Sequence, residues 1–477
     1  MDKKLISNYL YNILYQIVKI AMPIIIVPYT MGHLGETALG ISDIAANIAS
    51  WFILFGTLGA NVYGNRQIAK VRDDLEERSR TFFEILSMQL INMFIALILY
   101  ILYIVVFVNN NEIIYILHCM TIISSSFEIT WFYYGVENFK TVSIRNIIIK
   151  FIGVALIMLF VKSPEQLWLY VVINAGSDLF GQFIMYSQLK HYIRFVKYDI
   201  SRGYLKHIKG TFALFVPTIA ISVYTLLDQT MLGALTIDPG NVALYKAAQG
   251  FVRMFLYFIT SIGAVMLPRI TNVFYNKGGK EEATKYINTT LKIAFMLGIP
   301  MMVGMITVAP YFIPWYLPNQ LEIASLIQYS SPIVLFVSIS NVFGMQYLVP
   351  TGKNKPYTLS VVSGAVVNCI ANYILIPKLA GIGAAIGSVI AEFVVMIVQY
   401  YFVKDDIKLQ VNKNVIKYIV ASIIMGCFVV VLGQKLGSSI ITNIMQASLG
   451  VAVYSFILLI LKEEMSIKVI NKFLKRG

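Results

Sequence analysis

The chain predicts an all-α polytopic membrane protein, and three observations carry that reading. Its 477 residues are 58% hydrophobic, with a mean hydropathy of +0.73. Only 13% are charged, about half of what a soluble chain of this size carries. Apolar runs of about 20 residues recur along most of the length, and such a run matches the ~30 Å hydrocarbon core of a bilayer. A β-barrel would instead show short segments of alternating polarity.

About fourteen transmembrane helices follow, with edges good to about four residues. They come as pairs between charged segments. Spans near 9–31 and 37–62 precede 63–80, and spans 81–108 and 112–135 precede 136–150. Spans 143–161 and 166–189 precede 190–210, and spans 211–236 and 242–269 precede a stretch around 269–292. Spans 285–310 and 323–349 precede 350–356, and spans 357–377 and 381–403 precede 404–417. The last pair, 414–435 and 440–461, precedes the tail 462–477. The start, "MDKKLISNYLYN", has a positive end but polar residues after it and no small-residue cleavage site, so it opens the first span.

Charge placement gives the orientation. With the N-terminus in the cytoplasm, the inner segments hold 32 of the 38 Lys and Arg, and the outer ones hold only Lys162, Lys378 and Lys435. The positive-inside rule therefore puts both termini in the cytoplasm. It also explains the net charge of +14 without nucleic acid. Cys119, Cys369 and Cys427 have neither metal-ligand spacing nor a disulfide pattern.

An internal repeat divides the chain. "ETALGISDIA" (36–45) resembles "NVALYKAAQG" (241–250), and Gly59-Ala60, Arg66 and Glu76-Glu77 correspond to Gly263-Ala264, Arg269 and Glu281-Glu282. Asp178 in the sixth span matches Glu392 in the twelfth. Six spans per copy is an even number, so the copies share one orientation and predict two pseudo-symmetric lobes. The expected division is an N-lobe over 1–205, a C-lobe over 206–405, and two C-terminal helices with a cytoplasmic tail over 406–477.

Three cations fall inside spans: Lys19, Lys246 and Arg253. A cation at a lipid-facing helix centre costs about 2.5–3.5 kcal/mol on insertion scales, so such residues face a bundle interior or a wet cavity. Lys246 and Arg253 are i and i+7 on one helical face, with Gln249 and Gly250 between them. Lys19 lies about ten residues into its span, ~15 Å deep, ahead of Pro23 and Pro28, which bend helices. Lys19, Lys246, Gln249 and Arg253 are thus the expected cationic binding site for an anionic substrate. Arg suits a phosphate bidentately, and Lys suits it as a point charge. The competing reading is internal pairing, with Asp228 as the partner of Lys246. Five carboxylates also lie in spans: Asp43, Glu128, Asp178, Asp228 and Glu392. Their chemistry fits ion coupling or gating, through a proton or Na⁺, and equally fits structural acids at a lobe interface.

Other motifs have simpler readings. "NRQIAKVRDDLEERSR" (65–80) reads as a solvated amphipathic helix on the cytoplasmic surface, near anionic headgroups. In "GIGAAIG" (381–387), Gly383 and Gly387 form a close-packing GxxxG rather than a nucleotide loop. The four histidines, His33, His118, His191 and His207, form no cluster. No catalytic set, metal motif or P-loop is present.

Three stretches carry a family resemblance. "WFYYGVENFKTVSIRNIIIK" (131–150) resembles the region between spans 4 and 5 of Wzx-type polysaccharide flippases. "LLDQTMLGAL…VALYKAAQ" (226–249) resembles their span 7–8 region, and "GNRQIAKVRDDLEERS" (64–79) their first large inner loop. The similarity extends over essentially the whole chain. That family belongs to the multidrug/oligosaccharidyl-lipid/polysaccharide superfamily. The resemblance implies two six-helix lobes rocking about a central cavity. It also implies export of undecaprenyl-diphosphate-linked sugar repeat units from the inner to the outer leaflet, and the anionic diphosphate suits a cationic cavity.

The expected function is therefore a lipid-linked oligosaccharide flippase for capsule, exopolysaccharide or teichoic-acid-like polymers, in a bacterial cytoplasmic membrane. No catalytic residue and no cofactor is expected beyond a coupling Na⁺ or H⁺. Expected partners are the polyprenyl-diphosphate-linked oligosaccharide, membrane lipid, and a polymerase with its glycosyltransferases. The alternatives are a peptidoglycan-precursor flippase, or a multidrug–cation antiporter, which should present acids rather than cations in its cavity. A membrane-embedded polymerase or glycosyltransferase would carry a large outer loop, and none is present.

Overall fold

The computed structural model describes residues 3–274, 279–405 and 414–467. The tail from 468 and parts of two inner segments, 275–278 and 406–413, lie outside the described residues. Ten helical stretches among the described residues are long and apolar enough to cross a membrane. Two of them, Leu14–Lys70 and Asn354–Val403, have length for two crossings each, at ~20 residues per crossing. The chain forms an all-α polytopic membrane fold, and no strand occurs among the described residues. Packing divides it into two units, 1–233 with 237–243 and 234–236 with 244–477.

In the first unit, α1 (Lys3–Thr57) holds the first two predicted spans and breaks at Gly35, whose φ of 76° favours glycine. α2 (Ala60–Lys70) and α3 (Leu75–Phe107) follow. The predicted surface helix over 65–80 is not one helix. It is the end of α2, a turn at 71–74, and the capped start of α3. The Asp74 carboxylate accepts from the backbone N–H groups of Glu76 and Glu77 at 2.9 and 3.0 Å. These bonds hold its carboxyl below the ordinary range. The inner face of α2 is also not solvated, because Ile68 and Tyr63 are buried in an aromatic core with Phe82, Trp131, Phe132 and Tyr133.

The fourth predicted span is discontinuous. It is divided into α4 (Glu112–Leu117), α5 (Cys119–Ser126) and α6 (Thr130–Gly135). Ser125 and Ser126 each return their hydroxyl to a carbonyl four residues back, at 2.9 Å, a pattern that bends helices. The carbonyls freed at the break need donors in an apolar setting. Gln89 supplies them: its Nε2 donates to the carbonyls of Ser126 at 3.0 Å and Glu128 at 2.9 Å. The unit continues through α7 (Phe139–Phe160), α8 (Leu167–Leu189) and α9 (Ile200–Leu235). Packing groups nearly all of α9 with the first unit, although the sequence repeat starts the second lobe at 206.

The second unit contains α10 (Gly240–Asn272) from Leu244 onward, α11 (Gly279–Tyr316), α12 (Glu322–Ser330) and α13 (Pro332–Phe343). The tenth predicted span is thus broken before Pro332. It ends in a π turn over Gly344–Leu348, closed by the Val349 N–H on the Gly344 carbonyl at 3.0 Å. α14 (Asn354–Val403) holds two predicted spans and breaks at Ala380. Gly383 and Gly387 do pack closely: a β-carbon on either would come within 2.5 Å of the Leu375 carbonyl or the Asn372 side chain. α15 (Asn414–Leu436) and α16 (Ile440–Ile460) pack on α11 through Tyr418, Met425, Val429 and Tyr454. Many large apolar side chains stay exposed, including Phe94, Val105, Phe183 and Phe456, as lipid-facing positions require.

Candidate functional site

α10 carries two unlike faces. Tyr245, Ala248 and Val252 are buried, and the Tyr245 hydroxyl lies 3.0 Å from Ser388 Oγ of α14. Lys246 and Arg253 are exposed on another face, where no heavy atom lies within 4 Å of a β-carbon built on Gly250. Lys246 and Arg253, i and i+7 on α10, both lie within the second unit. Gln249 is half-buried between them, and its Nε2 donates to Ser330 Oγ of α12 at 3.1 Å. Its amide is therefore shared with the packing.

Lys19 and Asp228 belong to the first unit, and Lys246 to the second. Lys19 is exposed on α1, followed by Pro23 and Pro28 within the helix. Asp228 is buried on α9, and other residues of that helix form a polar seam to α1. In that seam Trp51 Nε1 donates to Thr230 Oγ1 at 2.8 Å, Thr230 Oγ1 lies 2.9 Å from Asn47 Oδ1, and Asn47 Nδ2 donates to the Leu226 carbonyl at 3.2 Å. Asp43 is half-buried on α1. Glu392 is half-buried on α14, in electrostatic range of Tyr357.

Glu128 and Asp178 lie in electrostatic range of a residue the sequence did not single out. Arg145 was counted with the cytoplasmic cations, yet it is 8% exposed. It feels the charges of Glu128 and Asp178. Among the described residues its Nε has no hydrogen-bond partner, and neither has Glu128 Oε2. The other Glu128 oxygen accepts from the Thr130 N–H at 2.9 Å and from the Thr130 hydroxyl, capping α6. Asp178 is exposed on α8. The signal for Arg145 was its position on the stripe Val142, Ile149, Gly153 and Ile157, all buried on α7. A second group was also missed. Glu84 of α3 accepts from both Lys206 and His207 of α9, at 2.8 and 2.9 Å.

Exposed cations on one helix suit an anionic ligand. The polysaccharide biosynthesis protein profile matches residues 5–274, more than half of the chain. The chain belongs to the polysaccharide biosynthesis protein family. Residues 179–459 of this polysaccharide biosynthesis protein also match the family described as Lipid II flippase MurJ. The protein provisionally named an O-antigen transporter in Escherichia coli (strain K12) is 21% identical over 410 residues, covering 84% of this chain and 96% of the relative. A protein of the same name in Shigella dysenteriae is 24% identical over 395 residues, covering 80% and 96%. Among solved structures, Lipid II flippase MurJ in an inward closed conformation matches 96% of this chain and 99% of its own, with a TM-score of 0.72 at 17% identity. An inward-facing multidrug resistance MATE transporter of the MOP superfamily matches 85% and 98%, with a TM-score of 0.61 at 14% identity. At these identities the likeness concerns the fold alone.

Proposed function

We propose that this polysaccharide biosynthesis protein is a flippase that carries polyprenyl-diphosphate-linked oligosaccharide repeat units from the inner to the outer leaflet by alternating access. The family match over 5–274 carries this reading, supported by relatives named for O-antigen transport. A sugar taken through bare hydrocarbon loses the partners of its hydroxyls, so a hydrated path is required. The polyprenyl tail stays in lipid. Lys246 and Arg253 present the charge that a diphosphate needs, with Lys19 as a third cation and Gln249 as a neutral neighbour. Arg253 suits bidentate binding and the lysines suit point-charge attraction. Asp43, Glu128, Asp178, Asp228 and Glu392 are the candidate coupling or gating groups, for Na⁺ or H⁺. The protein sits in a bacterial cytoplasmic membrane with both termini inside, working beside glycosyltransferases and a polymerase.

Leaflet-resolved detection of lipid-linked sugar in cells depleted of the protein tests the proposal. Accumulation on the inner leaflet is the expected outcome, and an unchanged distribution rejects it. The match of 179–459 to the MurJ profile favours a second reading, flipping of a peptidoglycan precursor. The identity of the accumulating glycan separates the two.

A further inference from the structure

The cytoplasmic end of α9 is fastened to α2 and α3 more tightly than a lobe-to-lobe linker requires. The segment leading into it is stitched first. Arg78 donates to the Tyr192 carbonyl through Nε at 3.1 Å and Nη2 at 2.6 Å, and the Arg194 N–H donates to Ser79 Oγ at 3.1 Å. The Tyr198 hydroxyl lies 3.1 Å from Ser87 Oγ. Within α9, a single oxygen of Glu84, Oε2, accepts from Lys206 Nζ at 2.8 Å and from His207 Nε2 at 2.9 Å. The other ring nitrogen of His207, Nδ1, lies 2.9 Å from the Tyr63 hydroxyl of α2. With a carboxylate at one nitrogen and a phenol at the other, the imidazole donates through Nε2 and accepts at Nδ1. The Tyr204 hydroxyl adds a bond to Asn92 Oδ1 at 3.0 Å.

Backbone contact reinforces these bonds. A β-carbon on Gly203 would lie 2.8 Å from Glu84 Cγ, and one on Gly210 would lie 2.3 Å from the Tyr63 ring. Gly203, His207, Gly210 and Thr211 follow an i, i+4, i+7, i+8 pattern, so they form one face. His207 and Thr211 on that face are buried, as is Glu84 opposite. Burying a carboxylate with two basic partners stabilises little compared with apolar packing, and such clusters are best attested where they fix position.

We propose that Glu84 is a positioning residue for the transport cycle: by gripping Lys206 and His207 it makes the opening turns of α9 travel with α2 and α3. Any bending of α9 then falls beyond Thr211. The inference rests on the flippase reading for its role, but the grip itself is measurable without substrate.

Two measurements on the full-length protein decide it. Hydrogen–deuterium exchange in Glu84→Leu is expected to quicken by about tenfold over 200–210, the factor set by losing a charge-assisted hydrogen bond, with the other helices unchanged. Unchanged exchange at 200–210 overturns the grip whatever the protein transports. The second measurement pairs Glu84→Cys with Gly203→Cys in a parent lacking Cys119, Cys369 and Cys427. A β-carbon at 203 would lie 3.0 Å from Glu84 Cβ, inside the roughly 3.5–4.5 Å of a disulfide, so a shift of about half an ångström admits the bond. Glu84→Cys alone is expected to slow flipping, and oxidation of the pair to restore it, which a merely structural role would not produce. If oxidation stops flipping, the contact must open during the cycle and the proposal fails. A parent that moves no lipid-linked sugar counts against the flippase reading, and the exchange result then stands on its own.

Discussion

Gly64 of α2 lies against the indole of Trp131, so close that a β-carbon on it would sit 2.6 Å from the ring. Trp131 is 1% exposed and packs with Phe82 and Phe132, so the ring has nowhere to retreat. Gly64→Ala is expected to cost about 1–3 kcal/mol through overpacking, and Gly64→Val more. Thermal unfolding of the purified variants measures it. An unchanged midpoint for Gly64→Val would mean the contact is soft.

Gln89 makes the broken fourth span tolerable. Its amide feeds the carbonyls of Ser126 and Glu128, and its Oε1 accepts from Trp131 Nε1 at 3.1 Å. Gln89→Leu keeps much of the volume and removes every one of these bonds. Stability should fall by about 2–3 kcal/mol, the cost of buried polar groups left unpaired. Chemical denaturation in detergent reads this directly, and parity with the parent would show that water enters and replaces the amide.

Burial pushes the His207 imidazole below its ordinary pKa, and the bond to Glu84 offsets only part of that shift. His207 lies ahead of the span predicted from 211. The folded protein therefore binds this proton less readily than the unfolded chain. The neutral ring stabilises the fold fully above the unfolded value of about 6.5, and that contribution is lost as pH falls below it. Thermal stability should decline as pH falls below about 6.5, and His207→Gln should flatten the decline. A variant with the same slope as the parent would assign the effect elsewhere.

Neutralising the in-span cations tests the binding proposal. Lys19→Gln and Arg253→Gln are each expected to lower transport by about tenfold or more, the range for losing a charge-assisted contact to phosphate, while membrane insertion stays unchanged. Complementation of surface polysaccharide in a depleted strain, with protein levels measured alongside, gives the answer. Full activity of both variants would remove the cationic site from the account.

Hydropathy and loop charge made the membrane helices legible because both are local properties that sum over about 20 residues. The same summing hid the breaks. Residues 112–135 average as one apolar span, and the long-range partner Gln89 reveals where the helix opens. Arg145 was misread for a related reason. Charge counting assigns a residue by its position along the chain, whereas Arg145 is drawn inward by its place on the buried stripe of α7. The pairing of Glu84 with Lys206 and His207 joins positions more than 120 residues apart, a separation that no periodicity reports. By contrast, the face shared by Lys246 and Arg253 was readable, since seven residues on one helix is a fixed rotation.

Ala380 joins the two halves of α14 with φ 46° and ψ −125°, a backbone state that a methyl side chain resists and glycine accepts. Ala380→Gly should therefore raise the melting point, with a gain of about 1 kcal/mol. A chain that carries such an unoptimised joint leaves room for improvement without touching its charges. That makes this position a practical first step toward a sturdier preparation for imaging the transporter with its cargo.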